Sequence, residues 1–218
     1  MSGSVRAIVF DFDYTLVDSS RGVVRCIDHA LRELDLPSVS PESARRTIGL
    51  SLPDTLVELA GPEQAEKAQE FVRLFVACSD EIMTGLTVLL GPSRSAILRL
   101  SEQGLSLGIV STKYRYRIEA VLRREALLEQ FAVIVGGEDV SAHKPDPEGL
   151  LMAMAALGSS PEGTLYVGDS VTDAEAARRA KVPFVAVLSG VTPREALDAY
   201  APYATLDSVA GLPDLLAR

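Results

Sequence analysis

Residues 5–15 read VRAIVFDFDYT, and the switch in them from an apolar run to a pair of acids decides the architecture. Val5–Phe10 is apolar on successive rather than alternate positions and rich in β-branched residues. That is the pattern of a strand covered on both faces, as in a parallel sheet between helices. Four more such runs follow, at Leu105–Val110, Phe131–Val135, Thr164–Val167 and Phe184–Leu188. Helical patterns separate the later ones, at Pro92–Gln103, Tyr116–Glu129, Pro147–Leu157 and Asp173–Ala180. Strand and helix in alternation predict right-handed βαβ units and an α/β fold built on a doubly wound parallel sheet.

The interval between the first two runs breaks this rhythm. Residues 18–84 hold amphipathic patterns such as Val23–Leu34 and Pro62–Asp80, with Val72, Phe75 and Val76 on one side, and no strand-like run. Pro37, Pro41, Pro53 and Gly61-Pro62 divide the segment into about four helices. About 65 residues exceed an ordinary crossover, so an inserted helical domain is expected. The predicted core is 1–17 plus 85–218, with 18–84 as the insert.

Ligands in open α/β sheets bind beyond the carboxyl ends of the strands. There the chain carries Asp11-Phe12-Asp13-Tyr14-Thr15, then Ser111-Thr112-Lys113, then Lys144-Pro145-Asp146-Pro147, then Gly168-Asp169-Ser170-Val171-Thr172-Asp173. Carboxylates, hydroxyls and an ammonium at one sheet edge are what a phosphate and a metal ion require. Asp11 and Asp13 leave an extended chain on the same side. Two carboxylates so close repel unless a cation intervenes. Each group also has a plainer reading: Asp11 and Asp13 as turn residues, Asp169, Asp173 and Ser111 as helix caps, Lys144 as a solvated lysine. Lys113, Arg115 and Arg117 read as a solvated helix face. His29 and His143 are too far apart in sequence to suggest a zinc site.

Composition narrows the classes. An apolar fraction of 47% with 23% charged residues is that of a globular chain. A net charge of −9 opposes a general nucleic-acid binder. No apolar stretch is long enough for a membrane helix, and the start of the chain does not read as a signal peptide. Cys26 and Cys78 form no CxxC pair, so a reduced, cytoplasmic setting is expected.

Taken in order after successive strands, DFDYT, the ST of STK, KPDP and GDSVTD resemble the motifs of the haloacid dehalogenase (HAD) superfamily. Ile48-Gly49-Leu50-Ser51-Leu52, following Arg45-Arg46, is similar to the cap of its phosphoglycolate-phosphatase-like branch, so the resemblance spans nearly the whole chain. It implies a Rossmann-like core with an α-helical cap and a Mg²⁺-dependent phosphatase acting on a small phosphorylated metabolite. By the same resemblance Asp11 is the nucleophile that forms an aspartyl-phosphate and Asp13 the general acid/base. Ser111, Thr112 and Lys144 hold the phosphoryl group, and Lys144 also neutralises the nucleophile. Asp11, Asp13 (through its backbone carbonyl), Asp169 and Asp173 form the metal site. Arg46 and Gly49 in the cap contact the substrate's far end, although Arg46 also stands four residues from Glu42 as an ordinary surface pair.

Three departures from the family pattern stand out. Tyr14 and Lys181 stand where Gly is common, and Ser111-Thr112 where Thr-Asn is frequent. Two further functions use similar parts: a sugar-phosphate mutase with the same aspartyl-phosphate chemistry, and a phospho-accepting signalling module without turnover. Dehalogenation fits the metal carboxylates less well. A monomer or weak homodimer without membrane or nucleic-acid partners completes the expectation.

Overall fold

The computed structural model describes residues 5–217. Its strands are β1 (Ala7–Phe10), β2 (Val17–Asp18), β3 (Val88–Leu89), β4 (Ser106–Val110), β5 (Phe131–Val135), β6 (Thr164–Gly168), β7 (Phe184–Val187) and β8 (Ala204–Leu206). Six of them form one sheet in the order β5-β4-β1-β6-β7-β8, all pairs parallel. The doubly wound α/β fold is therefore present, with β1 in the middle and chain direction of travel reversing across it. That reversal opens the crevice at the carboxyl ends of β1, β4 and β6 where ligands of such sheets bind.

The helices are α1 (Ser20–Glu33), α2 (Pro41–Arg46), α3 (Leu52–Ala60), α4 (Ala68–Leu86), α5 (Ser93–Glu102), α6 (Arg115–Arg124), α7 (Glu148–Leu157), α8 (Val171–Ala180), α9 (Arg194–Asp198) and α10 (Leu212–Leu216). Because side chains alternate along a strand, Ile8 and Phe10 join one apolar layer and Val9 the other. Ile97 and Leu100 of α5 and Ile118 and Leu122 of α6 close the first layer. Leu150 and Met154 of α7, with Ala174 and Ala177 of α8, close the second. Every residue of β1 is buried, which is why the sequence shows an unbroken apolar run instead of an alternating one.

The chain divides after Val17 and again after Val88. Asp18–Val88 is one compact unit, and the chain on either side of it is the other. Within Asp18–Val88, α1 and α4 pack through Val23, Ile27, Phe71, Phe75 and Met83. Of the prolines read as breaks, Pro37 lies in the connection between α1 and α2, Pro41 opens α2 behind the N-cap Ser40, and Pro53 lies in the first turn of α3 behind Ser51. Proline lacks the N–H that a first turn leaves unbonded anyway. The helical pattern expected over Pro62–Asp80 begins with a 3₁₀ turn and continues in α4 as far as Leu86. The helical unit thus runs past residue 84, carried by the buried Met83.

β8 carries no run in the sequence, because it is a three-residue edge strand of half-buried residues. Tyr14 and Lys181 both adopt left-handed backbone, with φ of 61° and 58°. These are the two positions where Gly was the expected residue. Lys181 terminates α8 as its C-cap. Lys181→Gly removes a left-handed penalty of about 1–2 kcal/mol but adds chain entropy, and is expected to stabilise the protein by about 0.5–1 kcal/mol. Chemical denaturation checks this; an unchanged or lower midpoint contradicts it.

Candidate active site

Asp11 follows β1 directly, and its N–H donates to the carbonyl of Val167 at 2.8 Å. That bond ties the end of β1 to β6 and leaves the Asp11 side chain at the crevice. Ser111 is held in the same way at the end of β4, donating to the carbonyl of Val135 at 3.0 Å. Asp169 follows β6. Asp169 and Asp173, four residues apart, do not share the first turn of one helix as that spacing suggests. α8 begins at Val171 with Ser170 as N-cap, so Asp169 lies outside the helix and Asp173 is its third residue.

Asp173 is fixed by a reciprocal capping arrangement. Its Oδ2 accepts from the Ser170 N–H at 3.1 Å and Oγ at 2.5 Å, and its own N–H donates to Ser170 Oγ at 3.1 Å. The plainer reading of Asp173 as a cap is thus correct in part, because Oδ1 remains turned to the site. Lys144 Nζ bridges Asp173 Oδ1 at 2.6 Å and Asp11 Oδ1 at 2.7 Å. Its side chain is 5% exposed, so the solvated reading of Lys144 is wrong. Thr15 Oγ1 donates to Asp169 Oδ1 at 3.1 Å.

Carboxylate oxygens of Asp11, Asp169 and Asp173 lie within 4.8 Å of one another, and all three residues are buried. Burial pushes the Asp11 carboxyl up to about 7, against the pull of Lys144 and with the push of Asp173. Burial, with the charges of Asp173 and Asp11, also holds Asp169 well above the ordinary carboxylate range. For Lys144 burial works toward the neutral form, but the charges of Asp11 and Asp173 overcome it and hold the ammonium firmly charged. Once all three carboxylates ionise, one ammonium leaves two negative charges without a counter-ion, which is the complement of a divalent cation. The donor set is all oxygen, as a hard cation requires. The Asp13 carboxylate is not a member of this group. It pairs instead with Lys113 Nζ at 3.1 Å, so it falls outside the metal set expected for Asp11, Asp13, Asp169 and Asp173 as far as side chains are concerned.

Several site residues were not singled out by the sequence. Tyr166 lies in the apolar run of β6, fully buried, and its hydroxyl donates to Asp173 Oδ1 at 2.9 Å while accepting from Lys144 at 3.3 Å. A phenol between Leu165 and Val167, in the middle of an apolar run, was the available signal. Ser189 Oγ, beyond β7, donates to the Tyr14 carbonyl at 2.6 Å. Gly190 packs so tightly on Asp169 that a Cβ there would overlap its Oδ2. Gly190→Ala must therefore displace Asp169 or its own loop, and cation affinity is expected to fall about 10–100-fold, as when an outer partner of a ligand is lost. The rise in melting temperature on titrating a divalent cation measures this, and equal affinities would contradict it.

Lys113 and Arg117 do not form a solvated face. α6 begins only at Arg115, which leaves Lys113 in the loop and buried against Asp13. Arg117 is 6% exposed and sits 5.2 Å from the ring centres of both Tyr114 and Tyr116. In the helical unit Arg46 bonds Glu42 at 2.6 Å with both side chains exposed, the surface-pair alternative. Gly49 has a φ of 100°, a backbone that favours glycine. Among the described residues no helix is long and apolar enough to cross a membrane.

Comparison with known proteins gives this arrangement a family. The family model for haloacid dehalogenase-like hydrolases matches residues 8–187. The phosphoglycolate phosphatase of Salmonella typhimurium is 33% identical over 227 residues, covering 94% of this chain and 90% of that protein. The phosphoglycolate phosphatase of Escherichia coli K12 is 31% identical over the same shares. A crystal structure from Bacteroides fragilis, of a protein assigned to the haloacid dehalogenase-like hydrolases, superposes with a TM-score of 0.93 at 38% identity, covering 96% of this chain and 100% of that one. The motifs, the parallel sheet and the buried acid cluster at its carboxyl edge all agree with these matches: the chain belongs to the haloacid dehalogenase-like hydrolase family.

Proposed function

We propose that the protein is a Mg²⁺-dependent phosphatase that hydrolyses a small organic phosphomonoester through an aspartyl-phosphate on Asp11. The observation that carries this reading is the buried Asp11 carboxylate held by Lys144 beside Asp169 and Asp173, an all-oxygen acid cluster that suits a divalent cation. Phosphoryl transfer needs positioning and charge neutralisation more than covalent assistance, and these groups supply both.

Asp11, Asp169 and Asp173 would hold the Mg²⁺, which when bound neutralises charge on the nucleophile and the phosphate. Asp11 attacks phosphorus, and the Lys144 ammonium 2.7 Å from Asp11 Oδ1 reduces the repulsion between carboxylate and phosphate. Ser111 Oγ and the Thr112 N–H hold oxygens of the transferring phosphoryl group. Asp13 protonates the leaving oxygen, then takes a proton from the water that hydrolyses the aspartyl-phosphate. Tyr166 keeps Lys144 and Asp173 in register through its hydroxyl.

Asp18–Val88 acts in this reading as the cap that selects the substrate, with Arg46 and Gly49 as its candidate contacts. The Arg46–Glu42 pair is exposed and worth only about 0.3–0.5 kcal/mol, so a carboxylate or phosphate on the substrate can replace Glu42 at little cost. The phosphoglycolate phosphatases among the relatives support a small anionic ester. The protein is further read as a cytoplasmic monomer or weak homodimer. Phosphate release from a panel of phosphorylated metabolites in Mg²⁺, phosphoglycolate included, tests the reading. Turnover of at least one member is expected. No release from any member, or release only with a bisphosphate activator, contradicts it, the second result pointing to a mutase.

A further inference from the structure

A lysine on a flexible stem is normally left in water, and a buried one has a specific partner. Lys113 is buried, its side chain 7% exposed and that of Asp13 10%, with Nζ 3.1 Å from Asp13 Oδ2. The loop that carries it is anchored at the backbone. The Lys113 N–H donates to Ser111 Oγ at 3.3 Å, and its carbonyl accepts from the Gly137 N–H at 3.1 Å. Gly136 and Gly137, the consecutive glycines beyond β5, permit this approach, since a Cβ on Gly137 would overlap the Thr112 carbonyl and one on Gly136 the Arg115 nitrogen. The same turn grips the far side of the loop. Glu138 accepts from the Arg115 N–H at 2.9 and 3.0 Å, and Asp139 accepts from the Gly136 N–H at 2.8 Å and pairs with the Arg115 guanidinium at 2.8 Å. The β5 turn therefore fixes where the loop from Ser111 to Arg115 runs, and with it the root of the Lys113 side chain.

We infer that Lys113 is the positioning residue of Asp13: the ammonium holds one oxygen of the carboxylate and so sets the rotamer from which Asp13 transfers its proton to the leaving group. The inference rests on the reading of Asp13 as the general acid. It gives Ser111-Thr112-Lys113 two tasks in three residues, the hydroxyl and backbone for the phosphoryl group and the ammonium for the acid. It also explains why Lys113 is turned inward while Arg115, two residues on, is half exposed.

The test is leaving-group release in the first turnover from two esters, a simple alkyl phosphate that needs a proton on departure and 2,4-dinitrophenyl phosphate that does not. Lys113→Met is expected to slow release from the alkyl ester about tenfold or more and from the dinitrophenyl ester less than about twofold, because misplacing an acid matters only where protonation assists departure. Lys113→Gln, which is one bond shorter but keeps a donor without the charge, is expected to show the same selectivity with a smaller loss, and it carries the test should the Met variant not fold. Lys113→Met added to Asp13→Asn is expected to cost nothing further. An equal slowing of both esters, or a cost that adds in full to Asp13→Asn, overturns the inference by giving Lys113 a different task. If Asp13→Asn itself slows both esters equally, the acid assignment falls, and the inference falls with it.

Discussion

Asp11→Asn is expected to lower phosphate release by about 10⁴-fold or more while leaving a folded protein, since it removes the attacking oxygen's charge and changes almost nothing in shape. Steady-state release against any substrate the wild type turns over measures the loss. Burial already raises the Asp11 carboxyl to about 7, so its charge costs more in the fold than in the unfolded chain. The amide relieves this and can still accept from Lys144. Melting temperature without divalent cation is therefore expected to stay level or rise, while the rise produced by adding the cation shrinks. A variant that retains a tenth of the rate would remove Asp11 from the chemistry.

Lys144→Met has the largest expected effect on stability. It leaves Asp11 and Asp173 buried without the ammonium that lies 2.7 and 2.6 Å from them. Removing one partner of a buried pair costs about 3–5 kcal/mol, or roughly 10 °C in melting temperature for a chain of this size. Turnover is expected to fall about 10³-fold, since the charge facing the transferring group is lost. Adding Asp173→Asn to Lys144→Met is expected to recover much of the stability and none of the activity, because it removes a stranded charge without replacing the cation. Thermal denaturation in a chelator, beside the rate, separates the two. Equal melting temperatures for wild type and Lys144→Met would mean that the ion pair contributes nothing to the fold.

The core was legible because β1, β4, β6 and β7 are buried on both faces and carry their signal residue by residue. The chemistry was legible because it sits directly after those strands, where chain position and spatial position coincide. What escaped depends on contacts across the chain. Gly190 is meaningful only against Asp169, and Tyr166 only against Lys144 and Asp173. Lys113 was misread because the helical period was extended backwards over it, although α6 starts at Arg115 and frees the side chain to turn inward. β8 was too short and too thinly apolar to show a period. Tyr14 is the converse case: the motif marked its position as one for glycine, and the left-handed φ of 61° supplies the reason.

The proposed mechanism turns on the aspartyl-phosphate at Asp11. It is tested most directly by acid quench during turnover of any ester the protein hydrolyses, followed by mass spectrometry of the peptide containing Asp11. The expected result is a phosphoryl adduct on Asp11 that hydroxylamine removes, that accumulates in Asp13→Asn where the base for hydrolysis is missing, and that Asp11→Asn never shows. Phosphate release at the wild-type rate with no adduct on Asp11 in either the wild type or Asp13→Asn would contradict it.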